Sequence, residues 1–82
     1  MGDVAVTAKI YAEDPSKMDE IKAEVAKIGK LHSATIEEVG FGIKALKVII
    51  IVPDSAGGDM EEKLGAIKGV SQAQVEQVTL VG

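Results

Sequence analysis

Val4, Val6, Ala8 and Ile10 alternate with Ala5, Thr7, Lys9 and Tyr11, the period of two that places one set of side chains on a covered sheet face and the other on an open one. Asp14-Pro15-Ser16 interrupts this strand, and the apolar period then lengthens. Met18, Ile21, Val25 and Ile28 recur at intervals of three and four and form one stripe of a helix. Pro15 suits its first turn, Ser16 three residues before Asp19 reads as a loose capping box, and Gly29 ends it. Leu31 to Val39 is a second strand, with His32, Ala34 and Ile36 on one face and Thr35 and Glu37 on the other. The third strand, Ile43 to Val52, follows across Gly40-Phe41-Gly42, which makes the two hairpin neighbours. Leu46, Val48, Ile50 and Val52 are its expected core residues. Pro53 to Gly58 reads as a loop, and Asp59, with Glu62 three residues on, as the cap of a second helix burying Met60, Leu64 and Ile67. Gly69 stands where a left-handed residue would close that helix. Val70 to Val81 is a strand with a fault. Ala73 and Val75 share one parity and Val78 and Leu80 the other, which predicts a bulge or the end of pairing near Gln77, after which the last residues leave the sheet.

The order β-α-β-β-α-β with short connections predicts an α+β, ferredoxin-like sandwich: a four-stranded antiparallel sheet with both helices on one face. At 82 residues the chain is expected to be one domain, residues 1–82, near the size where a single core leaves roughly 3 to 5 kcal/mol of net stability.

Composition narrows the chemistry. Nine basic residues, all lysine, against thirteen acidic ones give a net charge of −4, which disfavours direct binding of nucleic acid, since phosphate recognition needs clustered cations. Without arginine there is no bidentate guanidinium clamp for phosphate. Cysteine is absent, which removes disulfides, thiolate chemistry and cysteine-ligated metals. The start of the chain lacks a basic segment followed by an apolar one, and the longest aliphatic run, Val48 to Val52, is far short of the about 20 residues that span a bilayer. A cytoplasmic location without membrane association is expected, and Met-Gly at the start is not followed by the Ser or Thr that a myristoylation signal requires.

No constellation for catalysis or metal binding emerges, so no catalytic residue, metal or cofactor is expected. His32 is the single histidine. Glu37 and Glu38 are adjacent on a strand, point to opposite faces and are expected to be solvated. Gly57-Gly58-Asp59 lacks the spacing of a phosphate-binding loop, and Asp59 would repel an anion. The conspicuous feature is Phe41. It is the chain's one Phe in a sequence with 2 % aromatics, and it lies between two glycines at the mouth of the most apolar strand. Glycines there supply φ values that other residues resist, so Phe41 reads as a presented ring; a ring folded back on the sheet edge is the alternative.

Val-Gly-Phe-Gly-Ile-Lys-Ala-Leu-Lys-Val, then Gly-Gly-Asp-Met-Glu-Glu, then Val-Ser-Gln-Ala-Gln-Val together resemble the guanine-nucleotide exchange domain of translation elongation factor 1-beta, in the archaeal form that lacks a long N-terminal extension. The resemblance covers essentially the whole chain. It implies a factor that binds elongation factor 1-alpha, a GTPase, and speeds release of its GDP. It assigns partner contact to Phe41, presentation of that ring to Gly40 and Gly42, and a supporting place to Lys44 on the adjoining strand. Eukaryotic members carry a lysine near the C-terminus that intrudes on the magnesium and phosphate site. Leu80 stands at that position here, so Val78 and Leu80 would act by bulk, unless Lys44 or Lys47 supplies the charge. Such a factor is expected to be a monomer when alone. A regulatory small-molecule-binding domain or an oligomerisation module of the same fold is the alternative reading.

Overall fold

Alternation in the first segment and the aliphatic richness of the third produce the two central strands of one sheet. The computed structural model describes residues 2–81. Strands β1 (Asp3–Ala12), β2 (Lys30–Gly40), β3 (Ile43–Pro53) and β4 (Val70–Leu80) form an antiparallel sheet in the order β2-β3-β1-β4. Helices α1 (Met18–Ile28) and α2 (Met60–Gly65) cover one face. The fold is ferredoxin-like.

The core forms where the two periodicities meet. Val4, Val6, Ala8 and Ile10 of β1 and Leu46, Val48, Ile50 and Val52 of β3 are buried against Met18, Ile21 and Val25 of α1 and Met60 and Leu64 of α2. Ile28 and Ile67 flank this cluster. Each fully buried aliphatic side chain contributes roughly 1.5 to 3 kcal/mol. Gly29 lets the end of α1 lie against β3, because a Cβ there would sit 2.5 Å from Val52 Cγ1 and 2.9 Å from the Ile51 carbonyl oxygen.

Several local expectations are corrected. The cap at the first helical segment is Asp14, whose carboxylate accepts from the Ser16 amide at 3.0 Å and the Ser16 hydroxyl at 2.9 Å; a short 3-10 turn, Pro15–Lys17, then leads into α1. Asp14 has the extended backbone a cap needs, and Ser16 is already inside the turn. These bonds, from the amide first, hold the Asp14 carboxyl below the usual aspartate range. The expected loop before α2 is a 3-10 helix, Asp54–Asp59, that runs straight into it. Asp59 therefore has near-helical backbone and its side chain makes no cap. Gly69 has the positive φ expected, 95°, but α2 ends at Gly65; Gly69 instead belongs to a turn closed by the Val70 amide donating to the Ile67 carbonyl at 3.1 Å.

Both edge strands carry bulges. In β2 the pairing shifts between Leu31 and Ser33, so Leu31, opposite Ile50, shares the helix-side face with Ala34 and Ile36, where His32 was expected. In β4 the shift leaves Glu76 without a partner between Val75 (opposite Ala8) and Gln77 (opposite Thr7). Pairing then resumes. Val78, Thr79 and Leu80 lie opposite Val6, Ala5 and Val4, and the Val81 amide donates to the Asp3 carbonyl at 3.0 Å. The last residues thus stay in the sheet up to Val81, and Gly82 lies outside the described residues. One extra residue reconciles the parities: Ala73, Val75, Val78 and Leu80 all take the helix-side face.

Candidate functional site

The β2–β3 connection is a two-residue turn. Gly40 pairs with Ile43, and Phe41 and Gly42 between them have φ of 55° and 76°, the positive values of the primed turns that match strand twist. Gly40 is also positive, at 107°, just past a second shift in β2 that leaves Val39 as an extra residue. Glycine adopts such angles freely. For a bulky aromatic the left-handed region is an outlier that costs on the order of 1 kcal/mol or more. Phe41 accepts this conformation and gains no burial from it, being 105 % exposed. The ring is presented and is not folded back on the sheet.

Lys44 lies next to the turn, opposite Glu38. Lys47 is on the other face, directly opposite Lys9 across β1 and β3. The bulged Glu76 bridges these like charges, 3.8 Å from Lys9 and 3.9 Å from Lys47, and Glu37 lies 3.7 Å from Lys9. Glu37 is therefore tied into a charge cluster on the open face, a correction to the fully solvated carboxylate expected, whereas Glu38 is exposed. At these distances and partial exposures the pairs are worth little individually, about 0 to 1 kcal/mol each.

At the other end of the sheet, Val78, Leu80 and Val81 are 49, 72 and 50 % exposed. Val78 and Leu80 take the helix-side face beside the 3-10 helix that precedes α2, where a Cβ at Gly57 would come within 3.9 Å of Val78 Cγ1; Val78 is thus half covered and Leu80 more open. The candidate residues thus fall into two groups. Gly40, Phe41, Gly42 and Lys44 sit at the β2–β3 corner, while Val78 and Leu80 sit at the diagonally opposite one, beside Val4 and, through it, Val52. Counting strand rise and strand spacing, the corners are roughly 30 Å apart, on a molecule whose longest dimension is 41 Å.

Sequence reasoning missed a further feature of the hairpin corner. Ile36, Val39 and Ile43 are 55, 39 and 53 % exposed. With Phe41 and the C-terminal trio they make up all the exposed large hydrophobic residues among those described. The available signal was the presence of large aliphatics on both parities around the Gly-Phe-Gly turn, where an isolated two-stranded tip has no core to bury them.

No helix among the described residues is long and apolar enough to cross a membrane. Residues 5–81 match the model of the EF-1 guanine nucleotide exchange domain family. The chain is 38 % identical to "Elongation factor 1-beta" of Methanosphaerula palustris, covering 98 % of this chain and 99 % of the relative. It is 38 % identical to the protein of the same name from Methanoculleus marisnigri, over 99 % of this chain and all of the relative, and 33 % identical to that of Thermoplasma acidophilum, again over 99 % and 100 %. Among solved structures, the ACT domain from GTP pyrophosphokinase of Chlorobium tepidum is similar, with a TM-score of 0.63 at 19 % identity over 94 % of this chain and 90 % of that one. That likeness is one of fold.

Proposed function

The chain belongs to the EF-1 guanine nucleotide exchange domain family, and we propose that it acts in the cytoplasm on elongation factor 1-alpha, holding the GTPase through the hairpin corner and loosening its nucleotide through the C-terminal one. Its activity is guanine nucleotide exchange in translation elongation. Such a factor needs no catalytic residue, metal or cofactor of its own. Coupling is reciprocal, so a protein that binds the nucleotide-free GTPase more tightly than the GDP form weakens GDP binding by the same factor. Alone, the chain acts as one monomeric domain, and it contacts no nucleic acid directly.

Phe41 carries this reading. The strained backbone costs the isolated fold and the fully exposed aromatic ring returns nothing to it, whereas a partner surface that receives the ring gains its burial and offsets the strain. Gly40 and Gly42 hold the turn, and Lys44 is positioned to meet an acidic group beside the anchor. At the far corner, Val78 and Leu80 act by bulk: Leu80 has no charge to bring to a magnesium site, and an aliphatic pair that the fold leaves uncovered can occupy space there. The rival source of charge is Lys44, because Lys47 is engaged with Glu76 on the open face.

The test is release of fluorescent GDP from elongation factor 1-alpha. Phe41→Ala should lower exchange efficiency by about 30-fold or more, the equivalent of about 2 kcal/mol at an interface centre. Wild-type exchange by this variant would remove the hairpin from the interface.

A further inference from the structure

The exposed aliphatic residues around Phe41 lie on both faces of the hairpin. The last β1 residue that pairs with β3 is Tyr11, opposite Ala45; beyond it the β2–β3 ribbon has no third strand. On the helix-side face, Leu46 is buried but Ile36 opposite it is not, so the helix cover stops between them. Ile43 points to the other face, and its cross-strand partner is Gly40, which has no side chain to shield it. Val39, the extra residue of the bulge, lies on the outer strand between these positions.

Resting on the exchange-factor reading above, we infer that the hairpin tip is clasped: the GTPase receives it in an apolar cleft that contacts Ile36 on one face and Ile43 on the other, with Phe41 at the bottom and Val39 along the side. A flat docking surface would cover one face of the ribbon and leave the opposite isoleucine in water. Singly exposed apolar side chains are ordinary, but here four of the seven exposed large hydrophobics fall within eight residues of chain. The charged residues nearest the turn, Glu38 and Lys44, oppose each other on one face and suit a rim, the polar surround typical of an apolar interface centre. A second copy of the chain fits less well, since one stacked flat on the hairpin would cover Ile36 or Ile43 and leave the isoleucine on the opposite face in water.

Ile36→Thr and Ile43→Thr test the clasp, because threonine keeps the β-branch and the strand while removing apolar surface. Each should raise the factor concentration giving half-maximal GDP release by about fivefold, and the double variant by the product, since the residues face opposite walls of the cleft. Thermal midpoints should stay within a few degrees of wild type, as expected for exposed sites. If one variant is impaired and the other matches wild type, the tip lies flat and the clasp is wrong. If both match wild type while Phe41→Ala is impaired, the ring docks alone and the clasp again fails, although the exchange-factor reading stands. Wild-type exchange by Phe41→Ala would overturn the clasp and the hairpin's part in the interface, and only a wild-type chain that released no GDP would overturn the exchange-factor reading itself. Sedimentation of the chain by itself gives an independent check: a dimer dissolved by Ile43→Thr would assign the patch to a second copy and overturn the cleft.

Discussion

At the hairpin corner, three consecutive residues with positive φ turn the chain and push a ring into solvent. The C-terminal corner contains no such backbone among the described residues. A bulge at Glu76 turns Val78 and Leu80 to the helix side, where they stay 49 and 72 % exposed near the end of the sheet. The first corner is a two-sided projection whose shape is set by local backbone chemistry. The second is a patch of Val78 and Leu80 on the helix side, with Val81 exposed just past the end of β4, whose shape is set by register and by where cover runs out. The contrast suits different tasks: a preorganised projection contributes affinity because less conformational freedom is lost on binding, whereas a patch on an edge strand can yield as it meets a crowded site.

The largest expected effect tests whether the corners share a foundation. Ile50 is fully buried in β3, which runs between them, and Ile50→Ala should cost about 2 to 5 kcal/mol of stability. Chemical denaturation measures this. Loss of both binding and exchange in proportion to the unfolded fraction is expected, and separate failure of one corner would show that the two fold independently.

Phe41→Gly sharpens the contrast because its two consequences have opposite signs. Relief of the left-handed strain should raise stability by up to about 1 kcal/mol, while loss of the ring should reduce exchange as Phe41→Ala does. A variant less stable than wild type would mean that the ring supports the turn and that the hairpin is not strained in the manner described.

Truncation after Gln77 should leave most of the affinity for the GTPase and impair GDP release about tenfold, a coupling of the usual 1 to 3 kcal/mol. Leu80→Lys should be tolerated if the corner works through bulk, as proposed. Lys44→Ala and Lys47→Ala complete the set. A fully active truncation removes the C-terminal mechanism, and loss of exchange in Lys44→Ala with an active truncation moves the function to the hairpin.

The smallest effect concerns the turn at Asp14, just past β1 at the hairpin end. Its carboxyl is held below the ordinary range by the Ser16 amide and hydroxyl, so its pKa is lower folded than unfolded. Its contribution is therefore present above the unfolded value of about 3.9 and is lost as pH falls through the folded value. Asp14→Ala should lower the thermal midpoint slightly at neutral pH, and the gap should close in acid. Exchange should not follow it, since Asp14 supports the fold and not the tip.

Much of this molecule was legible from one dimension. The alternation at Val4 to Ile10 and Leu46 to Val52 and the helical stripes through Met18 and Met60 identified the core, because a period of two or 3.6 allows one covered face. Phe41 stood out because glycines on both sides permit a turn that few residues can make. Other features were decided by partners distant in sequence. The parity break near Gln77 allowed either a bulge or departure from the sheet; β1, offering Val6, Ala5 and Val4 as a continuing ladder, selected the bulge. Asp14 rather than Ser16 became the cap because the backbone enters a 3-10 turn at Pro15. The exposure of Ile36 and Ile43 was hidden for the same reason. A strand's pattern says which residues share a face, but the reach of the helices and the length of β1 decide where that face stops being covered.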